Sequence, residues 1–491
     1  MQASATAPPT KTHYRQELDR ALKLFSNVTL TLGTVGPTAS VFAFVPVVLL
    51  VAGSFGFIVF LLAAVFALCQ GLCYAELGTA YPIAGGEYSM VARVLGRPVG
   101  AVLFALMVTN YVFVPSAYAL AAGTYLGVVW SWAGTHPQVI GVAIIAFAAC
   151  VAALRIALGW IVSAVFLGFE LVAIPVICVL GFAHAHSPAD RLFTAHVYGT
   201  NGPISITTTA FLLGITLAFF TYQGFGNVVI FSEETRNAKK KVGRAVMWAL
   251  LVAVVAMATP VAAVLLGAPS IKGLLTAPAP LTYVLKSLGG STVDTIVSVF
   301  VFFAIVDAVV ASTMCFGRVI WSSGRDLAWP TRMSRALAIV HPRLKTPYVA
   351  TSALAVAAGL LTAFSTIAAV VTFVGVVTLG FAGLMALAAF VVRLRKDAPV
   401  DRYRMPLWPL PPLFLVAGCI VMFTQQTVHD LLICLAVGGG FLIYYLVYLM
   451  PRSATHWVML GAVVEEKTPT HEGRVVESVA DAAAVAKEPA N

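Results

Sequence analysis

The chain has 491 residues, 60% of them hydrophobic and only 10% charged, and its mean hydropathy is +0.93. These values exclude an ordinary soluble enzyme or binding domain and define an integral membrane protein. The formal charge of +10 does not point to nucleic acid, because the basic residues lie between apolar runs as flanks that fix orientation rather than in one patch.

Residues 1–23 are polar and lead into an apolar run too long for a signal-peptide core, so this tail is expected to stay in the cytoplasm. Apolar runs follow at 24–52, 57–79, 99–132, 139–154, 161–182 and 205–231, then at 242–266, 292–320, 349–364, 367–392, 412–423 and 431–449. A spanning helix needs roughly 20 apolar residues, so most of these runs qualify, 349–364 and 412–423 are short, and the expectation is about twelve spans. With the N-terminus inside, 27 of the 30 Lys and Arg fall on the cytoplasmic side, leaving Arg191, Lys272 and Lys286 outside. Miscounting one span would reverse every later loop, so count and orientation support each other. Both termini are expected in the cytoplasm. Lys239-Lys240-Lys241 reads as a topology anchor that touches anionic lipid.

Segment 268–290 contains three prolines and joins two spans on the outside. It reads either as a hairpin over the entry pathway or as a plain loop. Residues 451–491 have mixed charge and no long apolar face, which predicts a disordered or partly helical tail.

Two of the runs are interrupted. Leu32-Gly33-Thr34-Val35-Gly36-Pro37-Thr38-Ala39-Ser40 breaks the first, and Tyr222-Gln223-Gly224-Phe225-Gly226-Asn227 breaks the sixth. Backbone groups freed from helical bonds have no water in hydrocarbon, so a break survives only inside protein or beside a cavity. Breaks at corresponding places in two halves mark the midplane site of a transporter built from inverted repeats. The plainer alternative is that the glycines only let helices pack closely.

A half-helix beginning near Thr38 presents free N–H groups and a positive dipole end, which suits a carboxylate. Gly36, Thr38, Ala39 and Ser40 are therefore expected to hold the anionic end of a substrate. Carbonyls ending the preceding half-helix near Tyr222 and Gly224 suit an ammonium group. A zwitterion fits between the two ends. Phe220, Tyr222 and Phe225 either close over the substrate and stack on its amine or pack the core.

Glu170 lies about 14 Å into its span and Asp307 about 22 Å into its own, at ~1.5 Å per residue. Carboxylates at such depth are functional candidates by default. Glu170 is expected to carry a coupling proton and Asp307 to neutralise a substrate cation, against the alternative of simple hydrogen-bonded helix contacts. Sodium is the competing coupling ion, with Ser312 and Thr313 as its oxygen ligands. The seven cysteines fall within predicted spans at no metal or disulfide spacing, and the nine histidines fall in tails or loops. The core offers no nucleophile and base pair, so the expectation is no enzyme, no metal and no cofactor.

After the second span stand Tyr74-Ala75-Glu76-Leu77-Gly78, Tyr81-Pro82-Ile83-Ala84-Gly85-Gly86-Glu87-Tyr88 and Leu95-Gly96. This stretch resembles a signature of the amino acid/polyamine/organocation (APC) superfamily of permeases. Phe220-Thr221-Tyr222-Gln223-Gly224-Phe225 with Glu233-Glu234-Thr235-Arg236-Asn237 looks like that superfamily's sixth span. Arg318, Gly324-Arg325-Asp326 and Pro330 look like its pattern after the eighth.

The resemblance implies an all-α polytopic membrane fold with two inverted five-helix repeats, at 24–182 and 183–395, whose helices 1 and 6 are broken. Two further helices follow at 396–450. It also implies a permease of the cell membrane that moves an amino acid by alternating access, coupled to protons. The partners are then a small-molecule substrate and membrane lipid. An amine or polyamine transporter or exchanger of the same fold, and a membrane sensor that has lost transport, are the alternatives. The chain departs from the family in placing Thr38-Ala39-Ser40 where Gly-Ser-Gly is common. It also has Gly226 where some exchangers carry glutamate, and Glu170 on a span where some proton-coupled relatives carry lysine.

Overall fold

The computed structural model describes residues 22–457 except 84, 155, 186–187, 194–195, 200–201, 236–237, 278 and 396–401. The expected tails at 1–23 and 451–491 thus lie almost wholly outside the described residues, as do Arg236 and Asn237 of the sixth-span motif.

Helix α1 (Leu24–Val35) ends where the sequence places Gly-Pro, and α2 (Pro37–Ala52) starts at once. Gly36 takes the left-handed conformation (φ 47°, ψ 68°) that closes a helix C-terminus, and its N–H bonds the Leu32 carbonyl at 2.7 Å. Pro37 lacks an N–H and has φ preset for a first helical turn. Two adjacent residues therefore stop one helix and start the next.

Helix α2 ends at Gly53 and the chain turns through 53–55 into α3 (Gly56–Ala80). Gly214 lies against both Ala52 and Val59, so α2 and α3 flank the same later helix. Helices α4 (Glu87–Leu95), α5 (Arg97–Val129), α6 (Ser131–Thr135), α7 (Pro137–Ala152) and α8 (Ile156–Ala183) follow. A two-stranded antiparallel hairpin, β1 (His196–Gly199) with β2 (Gly202–Ser205), leads to α9 (Thr208–Thr221), whose N-terminus is capped by the Thr207 hydroxyl.

The second interruption falls at Tyr222–Gly224. Gly224 has φ 112°, and beyond it residues Phe225–Glu234 form a tight 3-10 segment rather than an α-helix. Helix α10 (Ala238–Gly267) and the short α11 (Ile271–Thr276) precede α12 (Pro280–Arg325), which kinks at Gly290. Segment 268–290 is therefore mostly helical rather than a plain loop. Helices α13 (Thr331–Leu337), α14 (Tyr348–Phe364), α15 (Ile367–Leu394), α16 (Leu410–Phe423) and α17 (Val428–Tyr444) complete the bundle.

Eight helical stretches among the described residues are long and apolar enough to cross a membrane, and α7, α14 and α16 are shorter apolar helices. Large apolar side chains such as Val255, Val356, Leu432 and Leu435 are exposed. The interior meanwhile holds Asn27, Glu76, Glu87, Glu170, Glu234, Asp307 and Arg318. That inversion of the soluble pattern suits hydrocarbon as the surrounding solvent.

Both broken segments run side by side. Leu22 N–H bonds the Glu234 carbonyl at 2.9 Å, and Asn27 Nδ2 donates to Thr235 Oγ1 at 2.8 Å. Past α17 the chain folds back onto the bundle and buries Trp457, which packs on Tyr88 (ring centroids 5.4 Å apart) and Phe104 (5.6 Å). The Trp457 backbone N–H bonds the Leu327 carbonyl and its indole N–H the Arg97 carbonyl.

Candidate substrate chamber

The two interruptions meet. A Cβ placed on Gly224 would lie 3.0 Å from Val35 Cα, so only glycine lets the second break approach the first this closely. Asn227 Nδ2 donates to Thr34 Oγ1 at 3.0 Å, a bond between residues 193 apart in sequence.

Beside this junction lies a chamber. Thr34, Gln223, Gly224, Gly226 and Asn227 come from the breaks, Phe220 from α9, Tyr74 from α3 and Glu87 from α4. Helix α5 adds Asn110, Tyr111 and Tyr118, and Phe316 and Phe381 close the apolar walls. Polar groups and aromatic rings converge on one space, the chemistry that orients a small solute.

Of the residues expected from sequence to bind substrate, Phe220 and Gly224 line this chamber. Gly36, Thr38, Ala39 and Ser40 are buried at the start of α2. Ser40 Oγ donates to the Val35 carbonyl at 2.7 Å and shares a hydrogen bond with the Tyr118 hydroxyl at 2.8 Å, so the start of α2 touches the chamber wall through Tyr118. Tyr222 instead points at α3, where its hydroxyl donates to the Phe60 carbonyl at 3.3 Å. Phe225 packs edge-on against Tyr74, with ring centroids 5.9 Å apart.

The N-terminus of α2 already faces a carboxylate. Thr38 N–H points at Glu170 Oε2 (3.5 Å) and Thr38 Oγ1 donates to the Glu170 carbonyl (3.2 Å). Asp307 Oδ1 accepts from Ser163 Oγ at 2.8 Å. Glu170 Oε1 and Asp307 Oδ2 have no hydrogen-bond partner among the described residues. Ser312 Oγ donates to the Ala308 carbonyl of its own helix at 2.6 Å, and Thr313 is buried beside it.

The acidic and basic residues quoted in the motifs form a paired lock at the end of the bundle where Thr235 and Asp326 lie. Arg318 grips Glu234 through two bonds (2.5 and 3.1 Å), with both side chains 1% exposed. Arg325 binds Glu233 through two more (2.9 and 3.0 Å). Arg393 and Arg402 converge on Glu76, and the Tyr88 hydroxyl donates to Asp326 at 2.8 Å. Bidentate arginine and carboxylate pairs of this kind fix orientation as well as charge.

In the sequence Tyr74 and Glu87 stand out only as motif letters and Asn227 only as the last residue of the second break, and nothing marks Asn110 or Tyr111. The available signal was Glu87 itself, a carboxylate directly after the flexible pair Gly85-Gly86.

Interrupted helices packed around a buried chamber are the architecture of a polytopic transport protein. The chain belongs to the amino acid permease family, whose family model matches residues 22–450. It is 24% identical to the branched-chain amino acid permease of Bacillus subtilis over 88% of this chain and 93% of the relative. It is 25% identical to the serine/threonine exchanger of the same organism (87% and 97% covered). It is also 24% identical to that organism's methylthioribose transporter (88% and 94% covered). The three names differ in solute, so likeness alone does not choose one.

Proposed function

We propose that the protein is a secondary active transporter that moves an amino acid across the cell membrane by alternating access. The observation that carries this reading is the meeting of Val35 and Gly224 beside the chamber, which leaves the ends of two half-helices at one site. In this reading twelve spans form two inverted repeats, 24–182 and 183–395, followed by 396–450, with both tails in the cytoplasm. The amino acid names of two of the three relatives support the solute class.

Coupling is assigned to a proton on Glu170. Its carboxylate sits at the N-terminus of α2 and has one oxygen without a hydrogen-bond partner among the described residues, so loss of its charge would release Thr38 N–H for a substrate carboxylate. Ser312 and Thr313 remain the sodium alternative.

The test is uptake into liposomes containing the purified protein, with labelled amino acids under a proton gradient, a sodium gradient or neither. Accumulation driven by the proton gradient alone supports the reading. Binding of an amino acid with no flux under any gradient would make the protein a sensor. Glu170→Gln is expected to abolish proton-driven accumulation while leaving counterflow exchange of the same solute, and normal accumulation by that variant removes Glu170 from coupling.

A further inference from the structure

The buried carboxylates of the bundle differ in what neutralises them. Glu76, Glu233 and Glu234 each bind at least one arginine. Glu87 is 5% exposed, faces the chamber, and accepts hydrogen bonds from two tyrosine hydroxyls, Tyr74 to Oε1 at 2.8 Å and Tyr111 to Oε2 at 3.1 Å. No lysine, arginine or histidine lines the chamber among the described residues.

The tyrosines are themselves held. Tyr111 stacks on Phe316, with ring centroids 4.0 Å apart and planes within 14°. Tyr74 passes over Gly226, where an added Cβ would come within 2.6 Å of its ring. A carboxylate fixed by two rigid donors, each oxygen keeping a further acceptor site, is built to receive something more. A desolvated carboxylate is compensated best by a cation, and the aromatic walls favour one too.

We propose that Glu87 is the group that selects a positively charged solute, and that the substrate class is a solute with an ammonium group at the end of an alkyl chain. A basic amino acid and a free diamine share this chemistry. The inference rests on the transport reading and adds to it the terminal charge of the solute. A neutral aliphatic side chain in the same place would leave Glu87 desolvated and uncompensated.

The experiment compares L-lysine with L-norleucine, which has a similar chain without the terminal ammonium, and adds cadaverine, which lacks the α-carboxylate. Binding to the purified wild-type protein is read by thermal shift and calorimetry, so this comparison does not depend on a folded variant. Lysine is expected to bind at least about 10-fold more tightly than norleucine, a difference of about 1.4 kcal/mol. Glu87→Gln, which keeps the side-chain shape, is expected to bring the lysine to norleucine ratio close to one, and Tyr111→Phe to bring it part of the way.

Cadaverine binding as tightly as lysine assigns a diamine, and weaker cadaverine assigns a basic amino acid; both support the role of Glu87. Norleucine equal to or tighter than lysine, or an unchanged ratio in Glu87→Gln, overturns it. In liposomes, norleucine flux without lysine flux rejects this inference while preserving the transport reading. Lysine binding without flux of any solute rejects the transport reading and leaves Glu87 as a cation receptor.

Discussion

Replacing Arg318 by alanine is expected to lower the stability of the folded protein by about 3–5 kcal/mol, because removing one partner leaves a charge buried and uncompensated. Arg318 and Glu234 are each 1% exposed and joined by two hydrogen bonds, and Arg318 also donates to the Met314 carbonyl. The alanine variant would take both of these bonds from Glu234, whose side chain is 1% exposed. Thermal unfolding in detergent measures the loss. The pair Arg318→Met with Glu234→Leu provides the contrast, since replacing both charges by apolar groups is often neutral. Recovery of most of the melting temperature in the double variant identifies the stranded charge as the cause. A single variant that melts with the native protein would mean that water enters this end freely.

Gly224→Ala is expected to abolish solute uptake without unfolding the protein. At φ 112° an L side chain is strained, at a cost of order 1–3 kcal/mol. The new Cβ would also press on the Val35 backbone at 3.0–3.1 Å. That backbone is the other break, so the clash can only be relieved by separating the two half-helix ends. The expected loss of uptake is on the order of 100-fold, the scale that a ~1 Å misplacement of an active-site group produces in enzymes. Gly168→Ala is the control, since a Cβ there meets nothing within 4 Å. Full uptake by Gly224→Ala would show that the breaks need not touch.

Both breaks were legible in the sequence because Gly36-Pro37 and Gly224 are local conformational instructions, and local instructions survive in one dimension. The helix before Gly290 was hidden by its prolines. Pro280 in fact stands at the first turn of α12, where the missing N–H is harmless. The chamber was only half legible. Glu87 depends on tyrosines 13 residues before it and 24 after it, and Thr38 meets a glutamate 132 residues away. No periodicity encodes such encounters; they follow from how α3, α5 and α8 pack. Arg318 was quoted as a motif letter, but its partner, 84 residues earlier, became visible only in the fold.

In the transport cycle proposed above, Trp457 gives the segment after α17 a share in the thermodynamics of access. Its ring packs on both Tyr88 and Phe104, and Tyr88 in turn holds Asp326 next to the arginine lock. In a permease that opens at this end, separating those helices and withdrawing the indole become linked equilibria. Linkage is reciprocal. Whatever holds Trp457 in place shifts the balance of chamber states by a certain factor, and a solute that favours one of those states shifts the hold on Trp457 by the same factor.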